Sequence, residues 1–285
     1  MTSSNDIIVV TGASTGIGKA CALHLDRLGF AVYAGVRKEA DGAALASEAS
    51  SRLVPVILDV TDAATIASAA SAVETAASGH GVRGLVNNAG IAVGGPLEFV
   101  PIDELRRQLE VNVVGQVAVT QAFLPALRQA KGRIVNIGSI SGRMATPFVG
   151  PYAASKFALE AITDALRIEL RPWGIGVSIV EPGSIDTPIW DKGQEQQARI
   201  REQLPPAGQE LYAHAMDAMT GALETFQRRA VPPQKVADAV AHALTAKRPK
   251  TRYLIGTDAR LQAVMSTVAP DRLADRLITR QLKLP

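Results

Sequence analysis

Short runs of apolar, mostly β-branched residues alternate along the chain with longer stretches whose apolar positions recur at helical spacing. The pattern predicts seven strands, at 7–11, 31–35, 53–58, 84–87, 133–138, 175–180 and 252–255. Helices are predicted between them, at 16–28, 39–50, 62–78, 102–129, 152–171 and 232–245. This order is typical of an α/β protein with a doubly wound, seven-stranded parallel sheet and helices on both faces.

The chain contains no Pro/Gly/Ser-rich linker and no internal repeat, so we expect residues 1–285 to form a single domain. The alternation is interrupted once, over the roughly 45 residues at 185–230, and connections of this length are usually functional. Residues 258–285 form a C-terminal extension beyond the last predicted strand. Apolar residues recur there with a helical period, at Leu261, Val264, Met265 and Val268.

The composition narrows the class of protein. With 47% hydrophobic and 20% charged residues the chain is too apolar for disorder, and a net charge of +3 gives little support for nucleic-acid binding. The only cysteine, Cys21, has no internal partner, and no Cys/His cluster suggests a metal site. No apolar run is long enough to span a membrane, and the polar N-terminus leaves no room for a signal peptide. We therefore expect a cytoplasmic protein.

The charge is unevenly distributed. Residues 228–285 hold 12 of the 30 Lys and Arg but only 4 of the 27 Asp and Glu, a net of +8, which leaves −5 upstream. Arg272, Arg276, Arg280 and Lys283 recur there at helical spacing. We expect them on the solvated face of a helix packed against the domain or a neighbouring subunit, and contact with an anionic membrane or an acidic partner is the alternative.

A glycine-rich turn follows the first predicted strand. Gly12, Gly16 and Gly18 alternate there with Ser14, Thr15 and Ile17, and the next helix begins inside the turn. Unpaired N–H groups and the helix dipole would face a pyrophosphate, and the glycines allow the backbone to approach it. A turn required only for its backbone geometry is the alternative. After a first strand, however, this arrangement favours a dinucleotide-binding Rossmann fold.

Residues after the second and third strands bear on the choice of cofactor. Arg37 follows the second strand, where a basic side chain would attract a 2′-phosphate and an acidic one would repel it. We therefore expect NADP(H), with NAD(H) as the alternative. Asp59, before Val60, could accept a hydrogen bond from the adenine amino group, or it could cap the following helix.

Tyr152 and Lys156 are four residues apart near the start of a predicted helix, and therefore share one of its faces. A fixed cation stabilises a phenolate and lowers the pKa of the phenol, which suits proton exchange with a carbinol or carbonyl oxygen. Ser139 ends the fifth strand, at the edge where doubly wound sheets bind ligands.

Together these motifs resemble the short-chain dehydrogenase/reductase family, in the branch with subunits of about 250 residues. The resemblance runs from Ile7 to Gly256 in the family order, through TGASTGIG, Asn87-Asn88-Ala89-Gly90, Asn112, Ser139, Tyr152/Lys156 and Pro182-Gly183-Ser184-Ile185-Asp186-Thr187. The chain looks closest to hydroxysteroid and retinol dehydrogenases. The family's acyl-carrier-protein-linked reductases usually end sooner after the last strand.

The resemblance implies that Tyr152 is the general acid/base and that Ser139 hydrogen-bonds the substrate oxygen. Lys156 would lower the tyrosine pKa and hold the nicotinamide ribose, and Asn112 would order a water for proton relay. Without the family, Asn112 is interpreted as a buried polar residue that satisfies helix backbone. The remaining implied cofactor residues follow strands three, four and six: Val60, Asn88, Ala89, Gly90, Pro182, Gly183, Ile185 and Thr187.

A substrate lid is expected over about 188–226. Apolar residues of this lid and of the loop before Tyr152 favour a bulky hydrophobic alcohol, ketone or aldehyde of steroid, retinoid or lipid type; they are Ile189, Trp190, Leu211, Met216, Met219, Phe226, Met144, Phe148 and Val149. Packing of the lid on the domain is the alternative role. The resemblance further implies a homodimer or homotetramer joined through the helices that begin near Ile102 and Tyr152. A 3-oxoacyl-type reductase and a non-catalytic nucleotide sensor are the alternative functions.

Overall fold

The computed structural model describes residues 6–281, so the predicted tail residue Lys283 lies outside the described residues, as does the side chain of Phe226. Over that range seven strands form one sheet in the order β3-β2-β1-β4-β5-β6-β7, and every neighbouring pair is parallel. The predicted doubly wound parallel sheet is confirmed. The strands are β1 (Ile7–Val10), β2 (Ala31–Val36), β3 (Leu53–Ile57), β4 (Gly84–Asn87), β5 (Arg133–Ile137), β6 (Gly176–Pro182) and β7 (Arg252–Ile255).

Eleven α-helices are present in the described part of the chain, most of them packed on the two faces of the sheet. They are α1 (Gly16–Arg27), α2 (Glu39–Ala46), α3 (Ala63–Ala77), α4 (Ile102–Leu109), α5 (Gly115–Ala130), α6 (Gly150–Glu169), α7 (Ile189–Glu202), α8 (Pro206–Arg228), α9 (Gln234–Thr245), α10 (Thr257–Val268) and α11 (Asp271–Gln281). Asp62 caps α3 by accepting a hydrogen bond from the Ala64 N–H at 2.8 Å.

The alternation of side chains along the strands divides the core in two. Ile8 and Val10 of β1 point into one cluster, which is completed by buried residues of α1 and α9. Ile7 and Val9 point into the other, with Phe123 of α5 and residues of α3. Because both faces of the sheet are covered, β1 is apolar at every position.

The long helix predicted at 102–129 is present as one helical run, but it is not α-helical throughout. A π-helical segment at Glu110–Val114 separates α4 from α5, and it carries the fully buried Asn112. At the start of α5, a Cβ on Gly115 would lie only 2.5 Å from the Val60 carbonyl oxygen, so α5 approaches the loop after β3 at backbone distance. Such π-turns are frequent at functional sites.

The two regions without predicted sheet elements are helical. The lid contains α7 and α8, and the C-terminal extension contains α10 and α11. The helix in the extension packs through small residues rather than through the large apolar ones that predicted it. Ala259 and Ala263 contact Ile140, while Leu261 and Val264 are exposed. Small residues let α10 lie close to the sheet edge. Among the described helices, none is both long and apolar enough to cross a membrane.

Candidate active site

The carboxyl ends of the parallel strands meet at one edge of the sheet and border a continuous cavity of about 650 Å³. Every predicted site residue except Gly18 lines this cavity. Gly18 lies behind the turn, where a Cβ would come within 2.2 Å of the Gly12 carbonyl oxygen. The cavity lies where open α/β sheets bind ligands.

The glycine-rich turn fits an anionic group. Gly12 and Gly16 adopt positive φ values of 63° and 56°. A Cβ on Gly12 would also clash with the next loop, because it would lie 2.8 Å from the Ala89 Cα. The Thr15 side chain does not cap the N-terminus of α1, and no acidic residue lies in its first turn. No carboxylate therefore neutralises the positive N-terminal end of the α1 dipole, and this end is suited to bind the pyrophosphate of a dinucleotide.

A second loop holds the turn in place. Asn88, after β4, donates its side-chain N–H groups to the carbonyl oxygens of Thr11 and Gly12 at 2.9 and 3.0 Å. In return, the Thr11 hydroxyl accepts hydrogen bonds from the backbone N–H groups of Asn88 and Ala89. These bonds join the carboxyl ends of β1 and β4, which are the strands on either side of the reversal in strand order.

Two side chains that line the cavity after β2 and β3, Arg37 and Asp59, are relevant to which cofactor binds. Arg37 is exposed and lines the cavity beyond β2. Asp59 also lines it, and its carboxylate accepts hydrogen bonds from the Thr61 N–H and hydroxyl groups at 3.0 and 2.8 Å. The cap of α3 is Asp62, so the capping role considered for Asp59 is wrong.

Tyr152, Lys156 and Ser139 meet in the cavity wall. The Lys156 Nζ lies 5.7 Å from the centroid of the Tyr152 ring and donates to the Ile137 carbonyl oxygen at 2.8 Å. That bond uses one of its three donors and leaves two for other groups. The Ser139 Oγ accepts from the Ser141 N–H at 3.1 Å, and its own proton can be donated to the Tyr152 oxygen.

Burial pushes both members of the Tyr152/Lys156 pair toward their neutral forms. It raises the pKa of Tyr152, and the Ser139 hydroxyl partly offsets this effect. It lowers the pKa of Lys156 to about 8, although the negative charge of Glu160 opposes the change. Burial therefore moves the two pKa values apart and places that of Lys156 below that of Tyr152, whereas exposed tyrosine and lysine titrate close together.

Asn112 braces the loop after β4. Its Oδ1 accepts from the Ile91 N–H at 2.9 Å, and its Nδ2 donates to the Ile91 carbonyl oxygen and to the Ser155 hydroxyl. Gln108 binds the same loop, accepting from the Val93 N–H at 2.7 Å. The backbone that Asn112 satisfies thus belongs to a loop rather than to its own helix.

Asp258, the second residue of α10, is a site residue that the sequence analysis did not identify. Its carboxylate accepts from the Ser184 N–H at 2.8 Å, and a Cβ on Gly183 would lie 2.3 Å from its Oδ1. The hydrogen bond from Ser184 to Asp258 fixes the loop after β6, which also carries Thr187. Thr187 lies against the glycine-rich turn, since a Cβ on Gly16 would be 3.2 Å from the Thr187 Cβ. The extension therefore contributes directly to the site.

A cluster of charged residues next to α6, the helix that carries Tyr152 and Lys156, was also not predicted. Arg143 donates from Nε and Nη2 to the fully buried Glu181 carboxylate, immediately before Pro182. Arg252 of β7 lies beside Glu181 and donates to Glu160 at 3.1 Å. Burial and, to a lesser extent, repulsion by Glu181 together raise the pKa of Glu160 to about 7. The charges of Arg252 and Arg143 oppose this increase. The cluster connects the loop after Ser139, the strands β6 and β7, and the helix that carries Lys156.

Comparisons with known proteins agree with this arrangement. The model of the short chain dehydrogenase family matches residues 6–198. Retinol dehydrogenase 5 of Mus musculus is 40% identical over 99% of this chain and 91% of its own, and 17-beta-hydroxysteroid dehydrogenase type 6 of Bos taurus is 38% identical over 98% and 89%. A short chain dehydrogenase from Burkholderia cenocepacia J2315, solved in complex with NADP, superposes with a TM-score of 0.72 at 29% identity and 98% coverage of both chains.

The charged cluster predicts a pH-dependent stability. Between about pH 4.5 and pH 7 the folded protein retains a proton on Glu160 that the unfolded chain releases. Relative to Glu160→Gln, the wild-type free energy of unfolding should therefore fall by roughly 1–3 kcal/mol across this interval and level off above it. Urea unfolding at several pH values measures the difference. The exposed Glu169→Gln is the control, and a wild-type difference from Glu160→Gln that does not change with pH would contradict the prediction.

Proposed function

The chain belongs to the short-chain dehydrogenase family of nicotinamide-dependent oxidoreductases, and from this premise we propose that it interconverts a hydrophobic alcohol and its ketone or aldehyde. The observation that carries the proposal is the convergence of Tyr152, Lys156 and Ser139 in one cavity with the glycine-rich turn. A nucleotide-sensing module would not require these groups to converge.

In the proposed reaction, Tyr152 moves the proton at the substrate oxygen. During oxidation its phenolate takes the alcohol proton, and during reduction its phenol returns one to the carbonyl oxygen. The Ser139 hydroxyl donates a hydrogen bond that keeps this oxygen beside Tyr152. Lys156 stabilises the phenolate by its charge, and its two remaining N–H donors suit the ribose hydroxyls of a nucleotide.

A nicotinamide dinucleotide, when bound, accepts the hydride from the alcohol carbon or returns it to the carbonyl carbon. The turn at Gly12–Ile17 would hold its pyrophosphate, and Pro182–Thr187 would hold its nicotinamide end. We propose a preference for NADP(H), because the side chain available beyond β2 is the cationic Arg37 rather than a carboxylate.

The substrate side of the cavity is largely apolar. Met144 and Phe148 line it from the loop before α6, and Trp190 and Met219 line it from the lid. The Trp190 ring is fixed by a hydrogen bond from its Nε1 to the Ile185 carbonyl oxygen at 2.6 Å, which connects the lid to the proposed nicotinamide loop. These walls suit a bulky hydrophobic substrate.

We further propose that the protein assembles as a homodimer or homotetramer through the α4–α5 and α6 helices. Large apolar side chains are exposed on these helices, among them Val114 (51% accessible), Phe157 (44%) and Ile168 (65%). Exposed apolar side chains on neighbouring helices are typical of surfaces that another protein covers.

The catalytic assignment is tested by Tyr152→Phe. This variant keeps the ring but lacks the proton, so kcat with a hydrophobic alcohol or ketone should fall by roughly 10²–10⁴-fold while the nucleotide still binds. Absorbance of the reduced nicotinamide follows turnover, and nucleotide fluorescence follows binding. Tyr33→Phe, on a tyrosine outside the cavity, should behave like the wild type. Undiminished turnover by Tyr152→Phe would rule out its role as general acid/base.

The cofactor preference is tested by Arg37→Ala. Loss of a charge-assisted contact to the 2′-phosphate should lower kcat/KM for NADP(H) by roughly 10- to 100-fold and leave kcat/KM for NAD(H) nearly unchanged. The matched control is Lys38→Ala, because Lys38 is exposed beside Arg37 but does not line the cavity. A wild-type protein that prefers NAD(H), or a variant with an unaltered ratio, would refute the preference.

The assembly is tested by a double substitution, Val114→Glu with Ile168→Glu. Burying two carboxylates in an apolar contact is unfavourable, so the variant should have a smaller mass than the wild type in light scattering coupled to size-exclusion chromatography. Leu211→Glu, on an equally exposed leucine of the lid helix α8, should leave the mass unchanged. A monomeric wild type, or a double variant of undiminished mass, would argue against the proposed interface.

A further inference from the structure

The loop that carries Ser139 is attached to strand β6 at both of its ends. Where β5 ends, the Gly138 N–H donates to the Val180 carbonyl oxygen at 2.8 Å. Five residues later, Arg143 donates from Nε and Nη2 to the Glu181 carboxylate, with a distance of 2.9 Å for the Nη2 bond. Because Val180 and Glu181 are consecutive, the backbone between the two attachments, which forms a single 3₁₀ turn, closes back on one short piece of β6.

The chain continues from the same piece of β6 into the loop proposed to hold the nicotinamide. Pro182 ends β6, and both it and Gly183 line the cavity together with Ser139. The bond from Arg143 to Glu181 therefore joins the loop of the serine that is proposed to hold the substrate oxygen to the loop that is proposed to hold the cofactor. Neither Arg143 nor Glu181 is among the described residues that line the cavity, so this pair acts through the two loops that it joins.

The ion pair is suited to fix a distance and an orientation. The Glu181 side chain is fully buried, and 26% of the Arg143 side chain is accessible. A guanidinium that donates from two nitrogens to one carboxylate has a defined direction as well as a defined separation. Arg252 of the neighbouring strand β7 restrains the same carboxylate, with its Nε 3.5 Å from the Glu181 Oε1.

The 3₁₀ turn of this loop also lies against the helix of the catalytic pair. A Cβ on Gly142 would be 2.9 Å from the Lys156 carbonyl oxygen, so the backbone of the turn contacts α6 one helical turn after Tyr152. A displacement of the turn would move Ser139 relative to both Tyr152 and the proposed nicotinamide loop. Hydride transfer needs reacting atoms about 3–3.5 Å apart, so a displacement of about 1 Å is enough to slow it.

We propose that Arg143 is a positioning residue, which through Glu181 determines where Ser139 lies relative to the loop at Pro182–Thr187 and thereby aligns the substrate oxygen with the cofactor. This inference rests on the proposed function and adds a residue that supports its reacting groups from outside the cavity. An arginine with a purely structural role would change the stability of the protein and leave the rate of hydride transfer in the folded molecules unaltered.

The inference is tested with Arg143→Lys, which keeps a positive charge beside the buried Glu181 but loses the contact through two nitrogens. The probe is 2-acetonaphthone, a bulky hydrophobic ketone, with NADPH. The kcat should fall by roughly 10- to 100-fold, as expected for a misplacement on the order of 1 Å, while the KM for the ketone and the Kd for NADPH change little. The isotope effect on kcat with deuterated NADPH should be at least as large as in the wild type, because the variant slows hydride transfer itself.

Two further variants separate this role from a structural one. Arg52→Lys is the matched control, because the Arg52 Nη2 lies 3.7 Å from the buried Asp26 carboxylate but precedes β3, at the opposite edge of the sheet. It should leave kcat unchanged. The double variant Arg143→Met with Glu181→Met removes the attachment without leaving an unpaired buried charge, so it should fold and lose kcat as Arg143→Lys does. An undiminished kcat in both Arg143 variants, or a loss that only follows the fraction of unfolded protein, would overturn the inference.

Hydrogen exchange followed by mass spectrometry on the protein alone makes the result independent of turnover. In Arg143→Lys the backbone amides at 139–143 and at 183–187 should lose protection together, and in Arg52→Lys both segments should exchange as in the wild type. If the two segments lose protection together but the wild type neither reduces 2-acetonaphthone nor oxidises its alcohol, the proposed chemistry fails and the positioning of the loops stands. If the wild type is active and Arg143→Lys leaves the protection of either segment unchanged, the inference fails and the proposed chemistry stands.

Discussion

The parallel pairing of β1 with β4 at the centre of the sheet determines where the functional groups lie. Because all strands run in the same direction, their carboxyl ends meet at one edge. The chain reverses its order across the sheet between β1 and β4 and leaves a crevice there. Thr11 and Asn88 bind the two loops across this point through four hydrogen bonds. The glycine-rich turn, the loop after β6 and the lid are arranged around that connection.

Concentrating polar groups at one buried edge carries an energetic cost that the fold offsets by pairing them. Asn112 and Gln108 satisfy a loop backbone, Asp258 satisfies another, and Glu181 is paired with Arg143. Removing one partner from such a buried pair is strongly destabilising, because the other charge then has no compensation. A few buried atoms of the described residues depart from this pattern, such as the Asn87 Oδ1 and the Gln116 Oε1, which have no hydrogen-bond partner.

Local patterns in the sequence predicted the parts of the site that depend on local structure. The glycine-rich turn after a first strand, and the spacing of Tyr152 and Lys156 on a helix, can be identified from neighbouring residues alone. Contacts distant in sequence could not be predicted in this way: Asp258 contacts Ser184 across 74 residues, and Arg143 contacts Glu181 across 38. The π-helical segment was missed because its helical periodicity resembles that of an α-helix.

The charges behind Tyr152 form an arrangement whose state depends on pH. Burial disfavours both the Tyr152 phenolate and the Lys156 ammonium ion, but the low dielectric that causes this also strengthens their mutual attraction. Glu160 supports the Lys156 charge only when it is itself ionised, which occurs above about pH 7. Lys156 in turn keeps its proton only below about pH 8. In the protein alone, the negative Glu160 and the positive Lys156 therefore coexist mainly between these two values.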